Sequence, residues 1–104
     1  MSARPTEEDF RKHEGTKFRV LVEAPTPFEL ELTQVISYDP QPNEQQNMER
    51  FSLRFDGPGD LMLRQGTYAF AHPEMGELQL FIVPIGRNEH NFKYEVVFNY
   101  FKGE

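Results

Sequence analysis

The side chains with the widest choice of chemistry in this chain are its three histidines, His13, His72 and His90. Near neutral pH an imidazole can act as a general acid, a general base or a metal ligand. The three do not fit the spacing of a helical His-x-x-x-His metal motif, so we predict no bound metal and no cofactor. His72 is followed by Glu74 and Glu77, a His–carboxylate pairing that would support a hydrolase or isomerase.

A structural role for His72 is the alternative to that chemistry. It precedes Pro73-Glu74-Met75-Gly76, and proline followed by glycine is typical of a tight turn between two strands. We therefore expect a hairpin in which the His72 ring hydrogen-bonds the turn that Pro73 and Gly76 shape.

The length of this hairpin loop decides which side chains share a face. A loop over 73–76 would pair Ala71 with Leu78, whereas a loop over 73–77 would pair His72 with Leu78. The odd loop is favoured because Gly76 can then take the left-handed position of a bulged turn. It also predicts one apolar face built from Tyr68, Phe70, Leu78, Leu80 and Ile82.

Other polar and turn residues receive structural interpretations. Gln65 is expected to brace a turn at Gly66. Asn99 stands among apolar residues, so it is expected to be a buried amide that binds the backbone of a neighbouring loop. Residues 57–59, Gly-Pro-Gly, lack the Lys-Ser/Thr of a phosphate-binding loop. The segment Gly57-Pro58-Gly59-Asp60 is predicted to form a turn.

Composition excludes several functions. The 104 residues contain no cysteine, so the chain has neither a disulfide framework nor a thiolate nucleophile. A net charge of -6 disfavours nucleic acids and anionic membranes as partners. The first residues have no apolar signal-peptide core, and no run reaches transmembrane length. We expect a cytoplasmic protein.

The hydrophobic pattern predicts strands throughout one domain, residues 1–104. Thr6-Glu7-Glu8-Asp9 resembles a capping box, which predicts a helix over about 7–12 within an N-terminal arm, 1–16. A polar segment, 39–49, is predicted to be a mobile loop, and Leu61-Met62-Leu63 is either a short strand or a plug for the core. Alternating strands are expected at 17–23, 28–38 (with a bulge after Thr33-Gln34), 50–56, 68–72, 78–85 and 92–101.

These elements predict an all-β fold. About six or seven strands with short turns indicate a small antiparallel sandwich or a partly open barrel with a short N-terminal helix. The last three strands are expected to form a meander.

The last two strands carry apolar residues on both faces, although one buried face would suffice. Either the second row is covered by the N-terminal helix and residues 61–63, or it is an exposed interface. The residues of this row are Phe81, Val83, Ile85, Val97 and Phe101.

Several short motifs lie along the second half of the chain. They are Phe51-Ser52-Leu53, Gly57-Pro58, Gln65-Gly66-Thr67-Tyr68, His72-Pro73-Glu74-Met75-Gly76, Leu80-Phe81-Ile82-Val83-Pro84 and Tyr94-Glu95-Val96-Val97-Phe98-Asn99. In these motifs the chain resembles a bacterial family known as domain of unknown function 6916. The resemblance covers nearly the whole chain, and it implies no activity.

Three functional hypotheses follow. The first is a non-enzymatic structural or protein-interaction module, a homo-oligomer or an accessory in an assembly, because of the second apolar row. The second is a small barrel that binds an apolar ligand with its Phe and Tyr side chains. The third is the His72-based hydrolase or isomerase.

Overall fold

A computed structural model describes residues 5–23, 27–38 and 48–101. One helix precedes six strands, which close into an antiparallel barrel in the order β1-β2-β3-β6-β5-β4. The predicted all-β fold with a short N-terminal helix is confirmed. Of the two predicted architectures, a sandwich and a partly open barrel, the structure has the barrel, and it is closed. The elements are α1 Glu7–Arg11, β1 Lys17–Val20, β2 Phe28–Ser37, β3 Met48–Pro58, β4 Gly66–His72, β5 Gly76–Arg87 and β6 Asn91–Phe101.

The chain forms two meanders of three strands each. Strands β1, β2 and β3 pair in sequence, and so do β4, β5 and β6, as expected for the last three strands. The meanders join where β3 pairs with β6 and where Arg19 and Val20 of β1 pair with Ala71 and Phe70 of β4. The second junction closes the barrel and removes its free edges.

Two bulges bend the long strands. The register between β2 and β3 shifts between Leu32 and Gln34, where the predicted change of parity falls. The register between β5 and β6 shifts between Pro84 and Gly86. Pro84 has no N–H to give to a ladder, so a bulge accommodates it.

Helix α1 closes one end of the barrel. Thr6 and Asp9 form a reciprocal capping box at its start, as the sequence predicted. The ring of Phe10 is fully buried and lies 6.4 Å from Phe18, 6.0 Å from Phe51 and 5.6 Å from Phe98 between centroids. A barrel of six strands is narrow enough for its interior to be filled by side chains, and Phe10 completes that filling at this end.

The β4–β5 hairpin has the predicted parity but a shorter loop. His72 pairs with Gly76 and Phe70 with Leu78, so the loop is 73–75 rather than 73–77. Gly76 has a φ of 79°, in the left-handed region that the odd loop requires. The expected apolar face is formed, with Phe70, Leu80 and Ile82 buried.

Three sequence-based boundaries need correction. The predicted turn over 57–60 is too long, because Gly57 and Pro58 extend β3 and pair with Phe92 and Asn91, and only Gly59 and Asp60 form the turn. The predicted loop 39–49 is too long, because its last two residues begin β3; positions 39–47 lie outside the described residues. The first strand ends at Val20 instead of residue 23.

Residues 61–63 form a plug and no strand. The side chain of Leu63 is buried, and its backbone N–H donates to Tyr94 Oη at 2.9 Å. Leu61 and Met62 are exposed. Burial raises the pKa of the Tyr94 phenol above its ordinary value, so this hydroxyl stays protonated near neutral pH.

Candidate functional site

Two separate regions hold the candidate sites. One is the histidine cluster at the barrel end beneath α1, formed by the predicted His72 and His13 together with Thr16. The other is the outer strip, formed by the outward side chains of Phe81, Val83 and Ile85 on β5 and Val97 on β6. The backbone of Phe101 lies in β6, and its side chain is outside the described residues.

His72 is held at both ring nitrogens. Its Nδ1 accepts from the backbone amides of Glu74 at 3.0 Å and Met75 at 3.3 Å. Because an amide can only donate, Nδ1 carries the lone pair and Nε2 the proton. Nε2 then donates to Thr16 Oγ1 at 3.0 Å, and the Thr16 hydroxyl donates to the carbonyl of His13 at 2.6 Å.

The ring of His72 is also enclosed by other rings. Phe18 lies 4.4 Å away and His13 4.5 Å away between centroids, and only 7% of His72 is exposed. Burial, more than the charge of His13, lowers the pKa of His72 below 6.5, while Glu74 acts weakly in the opposite direction. The imidazole is therefore neutral at pH 7.

This geometry does not form the His72–carboxylate pair that general acid–base chemistry would use. The turn reaches the ring through the backbone amide of Glu74 and not through its carboxylate. The Glu74 carboxylate instead lies 3.8 Å from Nδ1 of His13. A neighbouring cleft of about 270 Å³ is lined by Pro5, Asp9, Lys12, His13, Glu74 and Met75, without His72.

Metal ligands are not gathered at this site. Within the part of the chain that the structure describes, no group of three or more His, Asp or Glu side chains is placed to hold one ion. His90, the remaining histidine, is exposed in the β5–β6 connection.

The outer strip is exposed to solvent on two adjacent strands. Exposed fractions are 49% for Phe81, 42% for Ile85 and 61% for Val97, and Val83 is half-buried. Neither suspected cover lies over the strip, because Phe10 of α1 packs into the barrel end and Leu63 packs into the core.

Ion pairs border the outer strip. In one cross-strand row, Val83 pairs with Glu95 and Glu95 with Arg54. The Arg54 Nε to Glu95 Oε2 distance is 3.2 Å, and a second pair, Lys93 Nζ to Asp56 Oδ1, lies at 2.8 Å. The strip therefore adjoins charges that neutralise one another.

A second row extends the apolar surface beyond the residues expected from sequence. Val97 lies opposite Ser52, and Ser52 lies opposite Ile36. The hydroxyl of Tyr38 lies 3.0 Å from Ser52 Oγ, and the Tyr38 side chain is 43% exposed. The alternation of Ile36 and Tyr38 was visible in the sequence, but their place beside Val97 depends on the β3–β6 pairing.

Two predicted polar roles differ from the structure. Asn99 is exposed on the outward face of β6 and is not a buried amide, because its neighbour Phe98 takes the inward parity. Gln65 is exposed before β4, and Gly66 is the first residue of that strand, paired with Ile82, and not part of a turn. Pro73 lies exposed in the β4–β5 loop next to His72.

Sequence reasoning missed two residues that fix the capped end. Thr16 links His72 to His13, and the Glu14 carboxylate accepts from the Val35 amide at 2.8 Å, next to the β2 bulge. The partners in these two contacts are 56 and 21 residues apart in the sequence, so no local pattern could predict either contact.

Comparison with known proteins identifies the family. No curated protein and no solved structure matches the chain. The described residues contain no helix with the length and apolar character needed to span a membrane. The model of the family described as Domain of unknown function (DUF6916) matches residues 5–98, so the chain belongs to this family.

Proposed function

We propose that the protein is a non-enzymatic interaction module that binds a protein partner through its outer strip. The observation that carries this proposal is the exposure of Phe81, Ile85 and Val97 on two neighbouring strands. Exposed apolar residues that lie together on a small soluble domain mark interaction surfaces more often than isolated ones do.

The occupied ring of His72 supports a non-enzymatic role. A general base needs a ring nitrogen free to take a proton from its substrate. In His72, Nδ1 receives two backbone amides and Nε2 binds Thr16. Chemistry at this residue would first require the turn and the threonine to separate from it.

The packing of the interior favours interaction over the alternative of an apolar-ligand barrel. Phe55 lies 5.5 Å from Phe18 and 5.8 Å from Phe70 between ring centroids, and all three rings are fully buried. Rings that contact one another across a narrow barrel occupy the volume that a ligand would need.

A second copy of the chain is the first partner we propose. The protein carries a net charge of -6, which opposes self-association in general. The charges of Arg54 and Glu95 and of Lys93 and Asp56 cancel in pairs beside the strip, which lowers the repulsion between two copies that meet there. A cytoplasmic location belongs to the same proposal, because a chain without cysteine suits a reducing compartment.

The test is the mass in solution, measured by light scattering over a concentration series. We expect the mass to rise above the 12.2 kDa of one chain and the double substitution Phe81→Ser, Val97→Ser to return it to that value. The control is Leu61→Ser, Met62→Ser, which removes two exposed apolar side chains outside the strip. A mass of one chain at every concentration, or equal effects of both double variants, would contradict self-association through the strip.

A further inference from the structure

We propose that the histidine cluster is a pH-sensitive latch that joins α1 to the β4–β5 hairpin and opens when His72 takes up a second proton. The latch is independent of the outer strip, because the side chains of the strip lie on the outside of the barrel. It rests on the arrangement of hydrogen-bond donors around one buried ring.

The latch connects two elements that are distant in sequence. His72 ends β4, and Thr16 and His13 belong to the segment between α1 and β1. The path from His72 Nε2 to Thr16 Oγ1 and on to the His13 carbonyl therefore ties the hairpin to the end of α1. The two histidine rings also contact each other, with centroids 4.5 Å apart and ring planes tilted by 58°.

Protonation is incompatible with this arrangement. An imidazolium carries a hydrogen on both nitrogens and accepts at neither. The second proton would have to lie on Nδ1, where the amides of Glu74 and Met75 already point their hydrogens. The charged ring must therefore leave the turn, and the turn must lose two hydrogen bonds.

The charged groups around the ring do not offset this conflict. His13, from the α1–β1 segment, repels a charged His72, while Glu74, from the hairpin loop, attracts it more weakly than His13 and burial oppose it. Asp9 and Lys12 of the α1 region line the adjoining cleft with opposite charges. Phe18, from β1, is the uncharged ring on the other side.

The direction of the pH effect follows from the pKa. Folding lowers the pKa of His72 below its ordinary value of 6.5. The unfolded chain therefore binds more protons between these two values, and stability rises with pH there. The contribution of the latch is complete above pH 6.5 and is lost as the pH falls through the folded pKa.

Opening is expected to be local, because other contacts retain the helix on its β2 side. The amide of Gly15 donates to the Leu32 carbonyl at 2.7 Å, and the amide of Leu32 donates to the Thr16 carbonyl at 3.0 Å. Arg11 also donates to Ser37 Oγ at 2.7 Å. We therefore expect the hairpin to move away from α1 while the helix stays on β2.

The experiment is an NMR titration of the full chain from pH 8 to pH 5. We expect the His72 ring nitrogens to report the Nε2–H form at high pH and to titrate with a midpoint below 6.5. The amide signals of Glu74, Met75 and Thr16 should shift with that same midpoint. If folding lowers the pKa of His72 by one unit, the ratio of closed to open latch can change by up to about ten-fold over the titration. The protection of the hairpin amides against hydrogen exchange measures this ratio.

Three substitutions separate the latch from a general acid effect. His72→Gln should abolish the pH response of the hairpin amides, and His13→Gln should move the His72 midpoint upwards because one cause of its lowering is removed. His90→Gln, at a histidine whose side chain is 83% exposed, should change neither.

The latch is overturned if His72 carries its proton on Nδ1 at high pH, or if the hairpin amides do not follow the His72 midpoint. It is equally overturned if His72→Gln keeps the response. Where His72→Gln does not fold, the titration of the unsubstituted chain alone decides, because it observes the ring and the amides directly.

Discussion

The capped end of the barrel and the outer strip hold similar side chains in opposite surroundings. At the capped end, Phe10 has no exposed surface and touches three other phenylalanine rings. On the strip, Phe81 remains 49% exposed although its backbone pairs with Thr67 of β4. The same residue type therefore contributes stability in one place and accessible surface in the other.

The polar groups of the two regions differ in the same way. Around His72, each nitrogen has a donor or an acceptor of the required kind. Beside the strip, Arg54 pairs with Glu95 and Lys93 with Asp56, and within the described part of the chain Phe81, Ile85 and Val97 stay exposed. The capped end therefore contributes its polar and apolar groups to stability, whereas the strip leaves its apolar side chains at the surface, where we propose that a partner binds.

The largest expected effect comes from removing one phenylalanine ring from each region in turn. Phe10→Ala should lower the free energy of unfolding by about 3–5 kcal/mol, because it leaves a cavity among buried rings. Phe81→Ala should cost about 1 kcal/mol or less, since its ring is half solvated. Urea unfolding of both variants measures the difference, and similar losses would show that the strip is part of the stabilising core.

A smaller test adds one methyl group at two glycines that differ in the space around them. A Cβ at Gly57 would lie 2.5 Å from Leu30 Cδ2 and 3.1 Å from Tyr94 Cε2, whereas at Gly66 its nearest neighbour is Tyr68 Cε1 at 3.7 Å. Gly57→Ala should therefore lower stability by about 1–3 kcal/mol through overpacking.

Gly66→Ala is the matched control for this substitution. Its new methyl group meets only an ordinary contact, and the change reduces the freedom of the unfolded chain, so stability should stay equal or rise by up to about 1 kcal/mol. Thermal unfolding compares the two variants. A destabilised Gly66→Ala together with an unchanged Gly57→Ala would contradict the close packing at the inner wall.

The sequence predicted those features of the fold that depend on local patterns. Alternation located the six strands, the slip at Thr33-Gln34 located a bulge, and Gly76 fixed the parity of the hairpin. Each of these signals arises within a few residues. The turn predicted to begin at Gly57-Pro58 begins only at Gly59, because here glycine makes room for Leu30 within the strand and proline ends it.

The candidate sites were less accessible to prediction because they depend on distant pairs. The strip was identified from the doubled apolar rows of β5 and β6, which are local. Sequence placed Glu95 on the outer face with Arg54, Arg64 or Lys93 as possible partners, and the choice of Arg54, 41 residues away, depends on the pairing of β3 with β6. The latch required Thr16 to meet His72, and Asn99 was misassigned because a strand with apolar residues on both faces does not reveal which face is inward.

The smallest expected effect comes from removing one tyrosine hydroxyl in the buried plug and one at an exposed position. The Tyr94 hydroxyl receives the amide of Leu63 in the buried plug, and the Tyr68 hydroxyl donates to the Arg64 carbonyl at an exposed position. Tyr94→Phe leaves a buried N–H without its partner and should cost about 1–2 kcal/mol. Tyr68→Phe leaves a carbonyl that water can reach, so its cost should stay below about 0.5 kcal/mol.

Urea unfolding measures the cost of both substitutions, and amide exchange at Leu63 should accelerate only in Tyr94→Phe. Equal costs would mean that water reaches the plug, and the inner side of the barrel would then resemble the outer face more closely than its packing indicates.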